Sequence, residues 1–158
     1  MQTFTDTQGR VWSVAITVDA VKRVRALTGT DLLAVAGGDL LERLSTDPIL
    51  LADVLYACVK PEADAKQVSD IDFGRALAGD VIGAATTALL QDIIDFFPAP
   101  KRALLAKALG KLGEVQTAAL EAASIRLEAV NAAAIASQLL DGTSSGASPA
   151  SPASTPAP

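Results

Sequence analysis

The chain has no histidine, and cysteine occurs once, as Cys58. Without imidazole there is no Ser-His-Asp or Cys-His nucleophile system, no histidine general base and no His-ligated metal. One thiol forms no internal disulfide and, with His missing, cannot complete a four-ligand zinc site. Its plain reading is a reduced, cytosolic thiol in the core. Aromatic residues are scarce, at 4%, so the core must be built from Ala, Leu, Val and Ile with close helix-on-helix approach. Positive charge is also short. Thirteen Lys and Arg against 18 Asp and Glu leave a net charge of −5, the wrong sign for a general nucleic-acid binder. The opening Met1-Gln-Thr-Phe-Thr-Asp6 is polar and lacks an apolar stretch, so no secretory signal is expected and the protein should stay in the cytoplasm.

Apolar residues of the small and branched kind make up the difference. Half of the 158 residues are hydrophobic, ample for one domain. The densest stretch is Asp80–Phe97. Ile82, Ala85, Leu89, Ile93 and Phe96 recur at helical spacing, with Val81, Leu90, Ile94 and Phe97 as a second stripe. A helix apolar on two sides belongs at the centre of a bundle. Asp80, Gln91, Asp92 and Asp95 argue against a membrane span, because a carboxylate at mid-bilayer costs about 2.5–3.5 kcal/mol.

The remaining chain predicts a mainly α fold with a short N-terminal β-hairpin, a long Ala-rich C-terminal helix and a disordered tail. Gln2–Thr5, a turn at Asp6–Gly9 and Arg10–Thr17 read as the hairpin, with Trp12, Val14 and Ile16 facing inward. Thr17 or Asp19 caps a helix to Thr28, closed by Gly29, with Val21, Val24 and Leu27 inward and Lys22, Arg23 and Arg25 outside. Asp31-Leu-Leu starts a further turn, and Asp39–Leu44 is a short helix after Gly37-Gly38. Asp47-Pro48 opens a helix that buries Leu50, Leu51, Val54, Leu55 and Cys58 and is expected to end at Pro61. Glu62–Val68 then reads as a polar connection, and Ser69 caps a helix over Asp70–Ala78. After Phe97-Pro-Ala-Pro100, Lys101–Leu140 predicts one long helix, or two joined near Gly113. The expected domains are a helical domain over 1–112, an Ala-rich extension over 113–140 and a Ser/Pro/Ala tail over 141–158.

No constellation here requires catalysis, and the chain is read as a non-enzyme without cofactor or metal. Asp70 with Asp72, and Asp92 with Asp95, are the closest carboxylate pairs. They fall at a helix start and on a helix's polar side, where acids are ordinary. Gly37-Gly38-Asp39 lacks the strand, Lys and Ser/Thr of a phosphate loop. Trp12 reads as the hairpin's core anchor. Lys101, Arg102, Lys107 and Lys111 form a basic run, either a solvated helix face or a contact for an acidic partner. Glu62, Asp64, Asp70, Asp72 and Asp80 offer the complement, which fits self-association or simple solubility. Leu104, Leu105, Leu109 and Leu112 are the candidate partner-binding residues, unless they pack on the domain's own core.

Several segments, taken in order, resemble bacteriophage tail assembly chaperones, including relatives in prophage-like regions. They are Phe4-Thr-Asp6 with Gly9-Arg-Val-Trp12, Val18-Asp-Ala-Val-Lys-Arg-Val24, Asp31-Leu-Leu33, Leu41 with Leu44, and Asp47-Pro-Ile-Leu-Leu-Ala-Asp-Val-Leu55. Asp72-Phe-Gly-Arg-Ala76 and Asp92-Ile-Ile-Asp-Phe-Phe97 complete the series. The order of elements carries the resemblance, which covers Met1 to Leu112; the Ala-rich helix and the tail lie outside it. It implies a small helical protein of the bacterial host cytoplasm that binds the helical tape-measure protein and keeps it soluble. It also implies that the protein helps gather tail-tube subunits and leaves as the tube grows, with no catalytic residues to carry over. A structural virion or tail protein and a generic helical adaptor are the alternatives.

Overall fold

The computed structural model describes residues 1–37 and 39–143, so the tail expected over 141–158 lies, from residue 144 on, outside the described residues. The chain divides into two units, Met1–Gly113 and a second beginning at Glu114. The fold is mainly helical, with a two-stranded antiparallel hairpin at its N-terminus and a long C-terminal helix.

In the hairpin, β1 (Gln2–Thr5) pairs with β2 (Val11–Val14), Phe4 opposite Trp12 and Gln2 opposite Val14. Gly9 takes a positive φ of 76° in the connecting turn, a conformation glycine adopts at no steric cost. β2 ends at Val14, opposite Gln2, and is shorter than the alternation predicts. The backbone N–H of Ile16 donates to the Asp92 carboxylate instead. Trp12, Val14 and Ile16 are buried as expected. Phe4, Trp12 and Tyr56 surround Phe73, with ring centroids 6.4, 5.1 and 5.5 Å from it. Edge-on aromatic pairs add about 0.5–1.5 kcal/mol each beyond area burial, so the few aromatics are concentrated where the hairpin meets the helices.

α1 (Val18–Thr28) starts at Thr17, whose hydroxyl accepts from Ala20 N–H, and ends at Gly29 with φ 72°. Its inner face is Ala20, Val21 and Val24; Leu27, expected inward, is 58% exposed at the helix end. A 3-10 turn (Leu32–Gly37) and α2 (Asp39–Thr46) follow. α3 (Pro48–Ala65) is capped by Asp47, which accepts from Ile49 and Leu50 N–H.

Contrary to expectation, α3 continues past Pro61 to Ala65. A proline inside a helix leaves the carbonyl four residues earlier without its donor. Here Arg23 supplies it: Nε donates to Ala57 O at 2.7 Å and Nη2 to Cys58 O at 3.1 Å. Arg23, expected outside, is therefore half-buried against α3, and Glu62–Val68 is not a polar loop, since Ala63 and Val68 are buried.

α4 (Asp70–Arg75) is capped by Ser69 but ends before the expected Ala78. Its last turn tightens into Ala76→Phe73 and Leu77→Gly74 bonds, and Gly79 at φ 58° then leads into α5 (Asp80–Phe96). α5 is the central helix, lying against β1, β2, α2 and α3 and burying Ala85, Ala88, Leu89, Leu90, Ile93 and Ile94. α6 (Ala99–Thr143) is one helix through Gly110 and Gly113; its residues up to Gly113 belong to the first unit. Among the described residues no helix is long and apolar enough to cross a membrane.

Candidate partner-binding surfaces

The titratable groups are tied into the fold. Cys58 is buried, and burial pushes its thiol up to about 12, so no thiolate forms at neutral pH. Asp92 corrects the sequence reading. It lies not on a polar face but buried in α5, where Oδ2 accepts Ile16 N–H at 2.5 Å. The Met1 amino group, 2.6 Å from Oδ1, is that oxygen's only partner among the described residues. Asp95 remains exposed, beside Gln91. Asp72 is held by Ser69 and Arg75. Among the described residues no three His, Cys, Asp or Glu side chains form a group fit for a metal.

Sequence reasoning missed Asp6. Its carboxylate accepts the Trp12 indole N–H at 2.9 Å, Arg10 Nε at 2.7 Å, and the backbone N–H groups of Gln8 and Arg10. Burial pushes its pKa upward, but the bonds from Trp12, Arg10 and Gln8 outweigh that and hold the carboxyl below its ordinary range. The group locks the hairpin turn to its anchor, a role in folding. Its signal was faint, an Asp before Gly with an arginine and a tryptophan just beyond.

The leucines of α6 separate by face. Leu105 is buried, Leu109 and Leu112 are half-buried against the core, and Leu104 is 66% exposed. Only Leu104 thus presents most of its side chain to solvent. The basic run divides similarly. Lys101 lies 4.0 Å from the Phe97 ring centroid and Arg102 donates to Phe97 O at 3.2 Å, while Lys107 and Lys111 are exposed. In the acidic strip, Glu62 binds Lys66 and Ser13 N–H, and Asp64 pairs with Lys60; Asp70 and Asp80 are exposed.

Two open cavities of about 300 Å³ each adjoin along one face of α3 and share Asp53 and Asp70 in their lining. One also takes in Leu27 and Tyr56, the other Ile49, Leu77 and Ile82. The resulting trough has largely apolar walls, two carboxylates at its middle, and Lys60, which pairs with Asp64, at the edge of one half. It was not legible in the sequence because four helices contribute to it. Its only trace is apolar residues out of phase with the buried stripes, such as Ile49 at 74% exposure.

In the second unit, every residue of α6 from Thr117 to Leu140 is exposed. Leu120, Ile125, Leu127, Val130 and Ile135 are each between 59% and 72% exposed. Six polar residues, Glu114, Thr117, Glu121, Ser124, Glu128 and Asn131, alternate at intervals of three and four along one seam, while Gln116, Arg126, Ser137 and Gln138 lie off that repeat. Most of the remaining circumference is Ala and larger apolar side chains. Compared with known protein families, curated proteins and solved structures, the chain matches none.

Proposed function

We propose that the chain is a tail assembly chaperone of a phage or prophage-like element, which binds the helical tape-measure protein and keeps it soluble while the tail tube assembles. The observation that carries this reading is the stretch of α6 from Glu114, a helix apolar over most of its circumference whose side chains from Thr117 to Leu140 are exposed. Helices apolar on nearly all sides are normally covered, and a long apolar helical client offers cover of matching chemistry. Binding of this kind requires no reacting group. The engagement of Asp6, Asp72 and Asp92 in the fold, and the protonated Cys58, agree with a binding role.

The test is co-expression with the tape-measure-like protein encoded nearby, followed by pull-down. The client should become soluble and co-purify, and Leu120→Glu with Leu127→Glu should abolish this while the first unit keeps its helical circular dichroism. A client that stays insoluble, with this chain found in mature particles, would replace the reading with a structural virion protein.

A further inference from the structure

One face of α3 is left uncovered by the core of the first unit. Ile49, Asp53, Tyr56 and Lys60 follow one another at intervals of four, three and four residues, a single stripe along the helix, and none of the four is buried. At 1.5 Å per residue the stripe runs about 16 Å, or three turns. Leu27 of α1, Asp70 and Gly74 of α4, and Ile82 of α5 complete the trough around it. Its charges do not balance. Lys60 is matched by Asp64 and also lies 5.8 Å from the Tyr56 ring centroid. Asp53 and Asp70 have no ion pair with a described residue, so two carboxylates stand unmatched between the exposed side chains of Leu27 and Ile49. A side chain at Gly74 would meet nothing within 4 Å, which leaves the trough open there.

We infer that the trough docks a cationic amphipathic helix of the client protein, about three turns long, its apolar residues against Leu27, Ile49 and Ile82 and its cations toward Asp53 and Asp70. An amphipathic helix enters a groove through apolar anchors three and four residues apart. Carboxylates between apolar walls select a helix whose anchors are flanked by Lys or Arg, and they repel one flanked by acids. The ion pairs lie in exposed positions, where salt screens them. This surface belongs to the first unit, whereas the proposed function is carried by the second. The inference rests on the chaperone reading only for which protein bears the segment; the docking chemistry does not depend on it.

Fluorescence anisotropy of the full chain with two labelled synthetic peptides tests it. Both are amphipathic helices of about three to four turns with a leucine face, one carrying Lys and the other Glu on the polar face. At about 50 mM salt the Lys peptide should bind, and the Glu peptide at least about tenfold more weakly. Asp53→Lys with Asp70→Lys should reverse that preference. Gly74→Leu fills the trough without altering its charge and should weaken the Lys peptide at least about tenfold. Asp53, Asp70 and Gly74 are exposed, so far-ultraviolet circular dichroism should be unchanged in both variants. Leu120→Glu with Leu127→Glu, in the second unit, should leave peptide binding as it is. A Lys peptide that does not bind, a Glu peptide that binds equally well, or binding lost through the second-unit variant and not through the trough variants would each overturn the inference. So would a wild-type chain that sediments above the monomer mass and becomes monomeric on Gly74→Leu, because the trough would then hold a second copy. If the peptides behave as expected while the co-expressed client stays insoluble, the chaperone reading falls and the docking chemistry of the trough stands.

Discussion

Asp6 accepts four hydrogen bonds at the hairpin turn, and its depressed pKa makes it a contributor to stability with a defined pH dependence. Because the folded value lies below the ordinary 3.8, the stabilisation is complete above that pH and is lost as pH falls through the folded value. Asp6→Ala strands the buried Trp12 indole N–H and should cost about 1–3 kcal/mol at pH 7. Urea midpoints for the two proteins should therefore stay apart down to about pH 4 and converge only below it; a gap unchanged at pH 2 would show that ionisation of Asp6 is not what stabilises the fold. Cys58 yields a second prediction at this scale. With its thiol pushed up to about 12, an aromatic disulfide reagent at pH 8 should label it only after urea unfolding; rapid labelling of the native chain would contradict its burial. Trp12 and Cys58 were readable as core residues because each is apolar in a patterned segment. Asp6 and Asp92 were not, because the partners that make them internal, the Trp12 indole and Ile16 N–H, are set by tertiary placement.

The elements show which signals are local. Thr17, Asp47 and Ser69 mark helix starts correctly because each cap bonds N–H groups two or three residues away. Gly29 and Gly79 mark breaks because the φ they take is open to glycine. Pro61 misled for the opposite reason. Its effect on α3 is cancelled by Arg23, 34 residues before the carbonyl it reaches at Ala57. A double-mutant cycle measures this compensation. Arg23→Met should destabilise the wild type by about 1–3 kcal/mol, through stranded carbonyls. In a Pro61→Ala background, where residue 61 can donate to Ala57 itself, the same change should cost distinctly less. Equal costs in both backgrounds would mean that Arg23 acts through its ion pair with Asp19 or its packing alone. The trough belongs to this scale too. No single element contains it, which is why residue patterns pointed to the leucines of α6 and missed Ile49 and Leu27.

For the molecule as a whole, the two units differ in what holds them. Met1–Gly113 has a contiguous core running from Phe4 to Leu105. From Thr117 to Leu140, α6 has exposed side chains throughout, so its stability rests on helix propensity and lacks the tertiary packing that supplies most helical stability in proteins. Hydrogen exchange should register this directly. In dilute protein, amides of residues 117–140 should exchange well before those of α5, and a bound client should slow them selectively; equal protection in both would show that the second unit is covered without one.

The polar seam of that helix also fixes a handedness. Its alternation of three and four averages 3.5 residues, short of the 3.6 of a straight α-helix, so the seam drifts by about 20° with each heptad. The apolar surface opposite rotates with it. Between Glu114 and Asn131 the drift amounts to about 50°, which a partner helix follows by winding left-handed. The sense in which a helical partner would coil along this seam is thus a property of the chain's own spacing.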